Sequence, residues 1–410
     1  MRLRNYVLVT TGYWVFTLTD GALRMLVLLH FNELGYSAVA IAFLFLAYEA
    51  MGILTNLLGG WVGARRGLNR TLVGGLVLQI VALSALTAED PSWDRWISVL
   101  FVMAMQALSG VAKDLTKMSS KSAVKTVAGD GSLFRLVAIL TGSKNALKGV
   151  GFFLGSALLS GLGYDGALWS MVGALAVTVV LLVVLLNEDI GKAKRKPKLS
   201  SLLSKSPAIN KLSVARFFLF GSRDIWFVVA VPVFLADHLD WSHESVGGFL
   251  AAWVIGYGIV QSAAPKLLSA GGRVTDESRA TKTWALVLAV VCTMIAVLVS
   301  LEWGIPGAIV GGLVVFGVVF ALNSSLHSFL VLAFADDDQV ALDVGFYYSA
   351  NAAGRLVGTL LSGALYVWGG VSLALWGSVT FVVLTWLATR RLPSVPAGTA
   401  VSMADVDGGD

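Results

Sequence analysis

Apolar residues dominate the chain in long runs that are separated by short polar breaks. Each run is about 20 residues long, the length that an α-helix needs to cross a hydrocarbon core about 30 Å thick. We place twelve such spans in the 410 residues, at 7–31, 38–60, 71–88, 96–112, 134–160, 166–187, 213–236, 244–264, 281–301, 305–332, 343–367 and 370–389. The pattern predicts an all-α polytopic membrane protein.

The longest and most basic break follows the sixth span. It contains Lys192, Lys194, Arg195, Lys196, Lys198, Lys205 and Lys211. We interpret 188–212 as a cytoplasmic linker between an N-terminal six-helix half, 1–187, and a C-terminal six-helix half, 213–392. The tail at 393–410 is expected to be disordered.

Short segments recur at matching places in the two halves. Phe16–Gly21 in span one resembles Phe220–Asp224 in span seven, and Ser143–Ala146 in span five aligns with Ser349–Ala352 in span eleven. A repeat of six-helix halves is typical of secondary transporters, which bind substrate near the midplane between the halves. The sequence GGWVGARRG after span two also resembles the signature loop of the major facilitator superfamily, with Ala64 where that pattern usually has Asp. This resemblance implies the twelve-helix facilitator fold.

The distribution of Lys and Arg predicts the orientation. With the N-terminus inside, the inner segments carry 22 of these residues, including Lys113, Lys117, Lys121 and Lys125, whereas the outer loops carry Arg95 alone. Positive residues accumulate on the cytoplasmic side of membrane proteins. We therefore expect both termini to be cytoplasmic.

Composition and motifs argue against several classes of function. The chain is 57% hydrophobic and 13% charged, and its one cysteine excludes internal disulfides and makes a thiolate metal site implausible. It contains no phosphate-binding loop, nucleophile–base pair or metal-ligand constellation. We expect neither an enzyme nor a bound metal or cofactor, and we expect no nucleic-acid partner.

Charged residues interrupt several predicted spans. A charge at the bilayer centre costs about 3 kcal/mol on insertion scales, so such residues indicate function. The cations near mid-span are Arg24, Lys144, Lys148, Arg223 and Arg355. The acidic residues are Asp20, Glu49, Asp224 and, near a span end, Asp343. The excess of cations predicts a site for an anion with several oxygens.

Helical spacing adds neutral donors to this predicted site. Lys144 and Lys148 are four residues apart, and Gly151 and Gly155 continue their face, where another helix can pack closely. The further substrate-binding candidates are Asn145, Tyr257, Gln261, Asn323, His327, Tyr348 and Asn351. The acidic residues are open to two interpretations, as structural ion pairs or as coupling groups, and Asp343 is also a candidate gate or cap.

Six segments resemble one particular family. They are 13–26, 108–119, 140–153, 220–228, 323–328 and 343–348. The chain resembles the organoarsenical efflux transporters of bacterial arsenic-resistance operons, the ArsJ family, and this resemblance implies a location in a bacterial inner membrane. The resemblance implies export of 1-arseno-3-phosphoglycerate, which a glyceraldehyde-3-phosphate dehydrogenase makes from arsenate; physical contact with that functional partner is not implied.

Other transport functions stay open from the residues. The cationic site equally suits an organophosphate or sugar-phosphate antiporter, and arginines on spans one and seven resemble the arrangement in such antiporters. A proton-coupled multidrug exporter fits less well, because such carriers usually handle apolar or cationic compounds. We expect alternating access, with the driving ion or exchange partner undetermined.

Overall fold

The computed structural model describes residues 2–35, 38–90, 92–127, 132–186, 202–203, 206–241, 243–269, 276–336 and 339–395. Most of the predicted basic linker and the end of the predicted tail lie outside these residues, as does the side chain of Glu49.

Eleven helices account for the regular structure of the described residues. They are α1 (Arg2–Glu33), α2 (Ala38–Arg66), α3 (Leu68–Leu86), α4 (Arg95–Val127), α5 (Leu133–Leu185), α6 (Pro207–Phe227), α7 (Ala230–Leu239), α8 (His243–Ser269), α9 (Glu277–Ser300), α10 (Ile305–Phe334) and α11 (Val340–Thr389). Nine described stretches are long and apolar enough to cross a membrane. An α-helix pairs its backbone N–H and C=O groups with one another, and this is necessary in a membrane because lipid chains offer these groups no hydrogen-bond partners.

The twelve predicted spans map onto these elements. The long α5 joins two helices across a kink at Gly163, which has φ 70°, and α11 joins two across Gly369 and Gly370. Gly163 and Gly370 lie at positive φ, which glycine adopts without the penalty of a Cβ. The seventh span consists of α6 and α7, and the hydroxyl of Ser362 accepts from the amide of Ala230 at 3.2 Å where they meet. The predicted all-α polytopic fold is confirmed.

Several helix boundaries differ from the predictions, including the end of α4 and the start of α6. Span four was expected to end at residue 112, with Lys117 and Lys121 in an inner loop, but α4 continues to Val127 and buries Lys121. The prediction was wrong because the polar sequence resembles a loop, whereas α2 and α3 pack against this part of α4, with Gly59 next to Leu115 and Gly75 next to Thr116. Similarly, α6 begins at Pro207 rather than 213, since proline suits the first turn of a helix.

The chain forms two compact units. The first contains 1–128, 143–203 and 336–349, and the second contains 129–142, 204–335 and 350–410. Each unit thus includes a segment from the sequence of the other predicted half. The division of the sequence at 188–212 stays a prediction.

Glycines bring pairs of helices to backbone contact within each unit. In the first unit, a Cβ added to Gly21 would lie 2.7 Å from the carbonyl oxygen of Lys148, and one added to Gly151 would lie 2.7 Å from that of Leu18. Thus α1 and α5 pack at the glycine face that the sequence indicated. In the second unit, Gly354 and Gly358 lie against the backbone of α6 in the same way. Such contacts hold membrane helices together by close packing.

Candidate functional site

Two arginines and one phenylalanine form a stripe along α6 in the second unit. Arg216, Phe220 and Arg223 are four and three residues apart, so they share one helix face. The guanidinium carbon of Arg216 lies 3.8 Å from the centroid of the Phe220 ring, and that of Arg223 lies 5.1 Å from it. The ring therefore contacts both cations and stabilises them through its π-face.

Arg216 is held in place by neutral polar groups. Its Nε donates to Asn351 Oδ1 at 2.9 Å, and its Nη1 lies 3.3 Å from the hydroxyl of Ser324. The same hydroxyl accepts from Gln261 Nε2 at 3.0 Å. Because Arg216 is only 2% exposed, these contacts solvate a charge that is otherwise removed from water.

Asp224 joins two arginines from different helices. Its Oδ1 accepts from Arg223 Nε at 2.7 Å, and its Oδ2 accepts from Arg355 Nε at 3.0 Å. The Asp224 side chain is fully buried, whereas those of Arg223 and Arg355 are 15% and 36% exposed. One carboxylate between two guanidiniums leaves this trio with a net charge of +1.

The first unit contains a lysine cluster on α4. Lys121 is 6% exposed and donates to the hydroxyl of Tyr348. The Lys121 and Lys117 ammonium groups lie 4.5 and 5.1 Å from the centroid of the Tyr348 ring. Two cations thus gather around one aromatic ring from the start of α11.

A buried carboxylate fixes one end of this cluster. Asp114 is 1% exposed, and it accepts from Lys117 Nζ at 2.6 Å and from the hydroxyl of Thr55 at 2.8 Å. The Thr55 hydroxyl anchors Asp114 from α2. The lysine cluster, like the arginine trio, therefore combines two cations with one acidic side chain.

Five other predicted residues of the first unit belong to α1 and α5. Lys144 Nζ donates to Asn145 Oδ1 at 3.3 Å, one turn before half-buried Lys148. On α1, Arg24 is half-buried and Asp20 is 4% exposed. The resemblance of Arg24 and Arg223, on spans one and seven, to the arginines of organophosphate antiporters stays a prediction.

Several predicted residues serve local packing or capping contacts. Tyr257 stacks on Trp253, with the two ring centroids 5.7 Å apart. Asn323 donates from its side-chain amide to the carbonyl of Trp284 on α9, at 2.9 Å. Asp343 accepts from the backbone amide of Asp336 at 3.3 Å.

His327 differs from these residues because its ring nitrogens have no hydrogen-bond partner among the described residues. The side chain is fully buried. It lies one turn along α10 from Ser324, the residue whose hydroxyl contacts Arg216.

The sequence analysis did not propose several residues of these clusters as site residues, including Asp114, Lys117, Lys121, Arg216 and Ser324. The α4 lysines carried a signal, because Lys113, Lys117, Lys121 and Lys125 repeat every four residues, as one helix face does. The spacing of Arg216, Phe220 and Arg223 carried another. Ser324 had none, since it stands in a run of similar serines.

These clusters can bind and orient anionic groups. Guanidiniums present planar pairs of donors that match carboxylate, phosphate or arsenate oxygens, and ammonium groups act as point charges. Within the described residues, no three His, Cys, Asp or Glu side chains gather as metal ligands would. These clusters therefore suit the recognition of anionic groups by hydrogen bonds and charge.

Comparison with known proteins agrees with the helical architecture. Among solved structures, the chain is similar to the human organic anion transporter MFSD10, with a TM-score of 0.73, 16% identity, and 95% and 99% of the two chains covered. A bacterial homologue of the iron transporter ferroportin, in an outward-facing state, gives 0.78 at 13% identity, with 95% and 99% covered. The E. coli fucose:proton symporter FucP gives 0.71 at 12% identity, with 95% and 98% covered. No curated protein matches the sequence.

The sequence itself identifies the family. Residues 9–335 match the profile of the Major Facilitator Superfamily, which is most of the chain and spans both predicted halves. The solved structures share the same fold over nearly the whole length. The chain therefore belongs to the Major Facilitator Superfamily, a family of membrane-embedded transporters of small solutes.

Proposed function

We propose that this transporter exports an organoarsenical anion, 1-arseno-3-phosphoglycerate, from the bacterial cytoplasm and so confers resistance to arsenate. The observation that carries the proposal is the trio of Arg223, Asp224 and Arg355. It lies within membrane-crossing helices and keeps a net positive charge. A charge at that depth is costly, so its retention favours a role in binding.

The geometry of the trio suits a transported anion. Asp224 is fully buried and holds both guanidiniums in position, while Arg355 keeps 36% of its side chain exposed. An oxyanion can therefore reach Arg355 without first displacing buried side chains. A carrier must also release its substrate, and the shared carboxylate competes with the anion for the same donors.

The proposed substrate has an oxyanion at each end, a phosphate and an arsenate. Each of these groups can accept hydrogen bonds from guanidinium and ammonium donors. Within the first unit, the lysine cluster around Tyr348 also presents cations that suit either group. Lysine suits this role because a flexible point charge adapts to either group.

The arsenical identity rests on the sequence resemblance to the ArsJ family. The resemblance implies a functional partner, the glyceraldehyde-3-phosphate dehydrogenase that makes the substrate, and a location in the bacterial inner membrane. The distribution of Lys and Arg predicts that both termini are cytoplasmic. Transport would proceed by alternating access.

Arsenic accumulation in arsenate-exposed cells tests this function. Cells would express the transporter with and without the dehydrogenase, and Arg355→Gln would be compared with Arg279→Gln, an exposed cation at the start of α9. We expect lower accumulation only when both proteins are present. Arg355→Gln should abolish the effect and Arg279→Gln should preserve it.

Unchanged accumulation, with membrane expression confirmed, would contradict arsenical export. The organophosphate antiporter would then be tested in proteoliposomes, by exchange of external 3-phosphoglycerate for internal phosphate. Exchange that requires Arg355 would identify that function, because the same donors recognise phosphate.

A further inference from the structure

A groove opens on the second unit between the start of α6 and the end of α11. It has a volume of about 820 Å³ and is lined by Asn210, Lys211, Val214, Phe218, Leu384, Leu387, Ala388, Arg390 and Arg391. The two helices both belong to membrane-crossing stretches. None of Arg223, Asp224 and Arg355 lines the groove, so it can have a separate ligand.

One part of the groove is apolar. Val214 is 49% exposed and Leu387 is 43% exposed, and Phe218 and Leu384 complete the wall. Exposed apolar side chains on a membrane-crossing helix suit contact with acyl chains. A small hydrophilic anion would gain nothing from such a wall.

The other part of the groove is basic. Lys211 stands in the second turn of α6, and Arg390 and Arg391 follow the last turn of α11, so the three cations gather at one membrane end. Among the nine lining residues, none is acidic. The guanidinium of Arg390 lies 5.0 Å from the ring centroid of Trp386, one turn earlier. Arginine and tryptophan both favour the zone between lipid chains and headgroups.

We infer that this groove binds an anionic phospholipid from the cytoplasmic leaflet, with its phosphate on Lys211, Arg390 and Arg391 and an acyl chain along Val214 and Leu387. Charge complementarity carries the inference, because the cations lie at the end predicted to be cytoplasmic, where anionic lipids attract basic clusters. The bound lipid joins α6 to the end of α11.

Lipid titration of the purified full chain tests the inference. Phosphatidylglycerol and phosphatidylcholine with identical acyl chains would be added in detergent, with Tm followed by tryptophan fluorescence and bound lipid counted by native mass spectrometry. We expect phosphatidylglycerol to raise Tm and to stay bound, and phosphatidylcholine to do neither. Equal effects of the two lipids would overturn the inference, as would the same rise in Tm with inorganic phosphate.

Variants locate the effect. The combination Lys211→Gln, Arg390→Gln and Arg391→Gln should raise the half-saturating concentration of phosphatidylglycerol at least about tenfold. The matched control is Arg65→Gln with Arg66→Gln, two exposed cations at the end of α2, which should leave it unchanged. If the triple variant does not fold, the single variants Arg390→Gln and Arg391→Gln should each raise the half-saturating concentration of phosphatidylglycerol about fivefold. Unchanged affinity in the folded variants would refute the assignment.

Discussion

Neutralising Asp224 probes the arginine trio directly. The carboxylate accepts from Arg223 at 2.7 Å and from Arg355 at 3.0 Å, and its side chain is fully buried. Asp224→Asn preserves the shape of the side chain but removes the charge that lies between the two guanidiniums. The arginines then repel each other in surroundings that screen charge poorly.

The expected loss of stability follows from the burial of Asp224 and its two arginine partners. Removing one partner of a buried ion pair typically costs about 3–5 kcal/mol. Arg355 is 36% exposed, however, so water compensates part of the loss, and we expect Asp224→Asn to cost about 2–3 kcal/mol. Arg355→Gln alone, which leaves Arg223 on the carboxylate, should cost about 1 kcal/mol.

The double variant distinguishes this electrostatic account from general damage. Without Asp224, removal of Arg355 relieves repulsion, so the two effects should not add and their coupling should reach about 1 kcal/mol. The free energy of unfolding would be measured in mixed micelles by titration with SDS, with Arg279→Gln as the control. A stability of Asp224→Asn within about 0.5 kcal/mol of the unmodified protein would refute the reasoning, as would strict additivity.

The remaining predictions concern a cation, a helix contact and a helix cap. Lys121→Gln should slow substrate efflux from loaded cells by about tenfold, since it removes the charge, and Tyr348→Phe should slow it less, since the ring stays; equal effects would contradict a role for the charge. Gly354→Ala should lower the free energy of unfolding by about 1–3 kcal/mol, because a Cβ there meets the backbone of α6. Gly363→Ala, where a Cβ meets open space, is its control, and similar losses would refute the contact argument. Asp276→Ala should cost about 1 kcal/mol in the same assay, because its side chain caps α9 by accepting an N2 amide; an unchanged stability would show that the cap is dispensable.

The positions of the helices could be predicted because they depend on local properties. A membrane-crossing segment must satisfy its backbone groups within itself and must be apolar over about 20 residues, and both conditions are visible in the sequence. The tight packing face at Gly151 was equally visible, because small residues at helical spacing leave room for a neighbour. The end of α4 was an exception, because buried Lys121 and the serines beside it resemble a loop in the sequence.

The site could be predicted only in part. Charges within apolar runs pointed to Arg223, Asp224 and Arg355, which the structure joins. The sequence also favoured Asn323 as a donor, yet Asn323 bonds to a carbonyl of α9 while its neighbour Ser324 contacts Arg216. Adjacent residues on a helix point about 100° apart, so the rotation of α10 about its own axis decides which of the two contacts Arg216.

The sequence by itself determined that this chain crosses a membrane repeatedly, that it belongs with facilitator transporters, and that cations lie within its helices. These features follow from the cost of placing polar and charged groups in lipid, which each segment meets alone. Only the tertiary structure decided that one carboxylate serves two arginines, and that Lys121 lies against Tyr348, 227 residues away. Such pairings depend on how each helix is rotated against its neighbours, and packing sets that rotation.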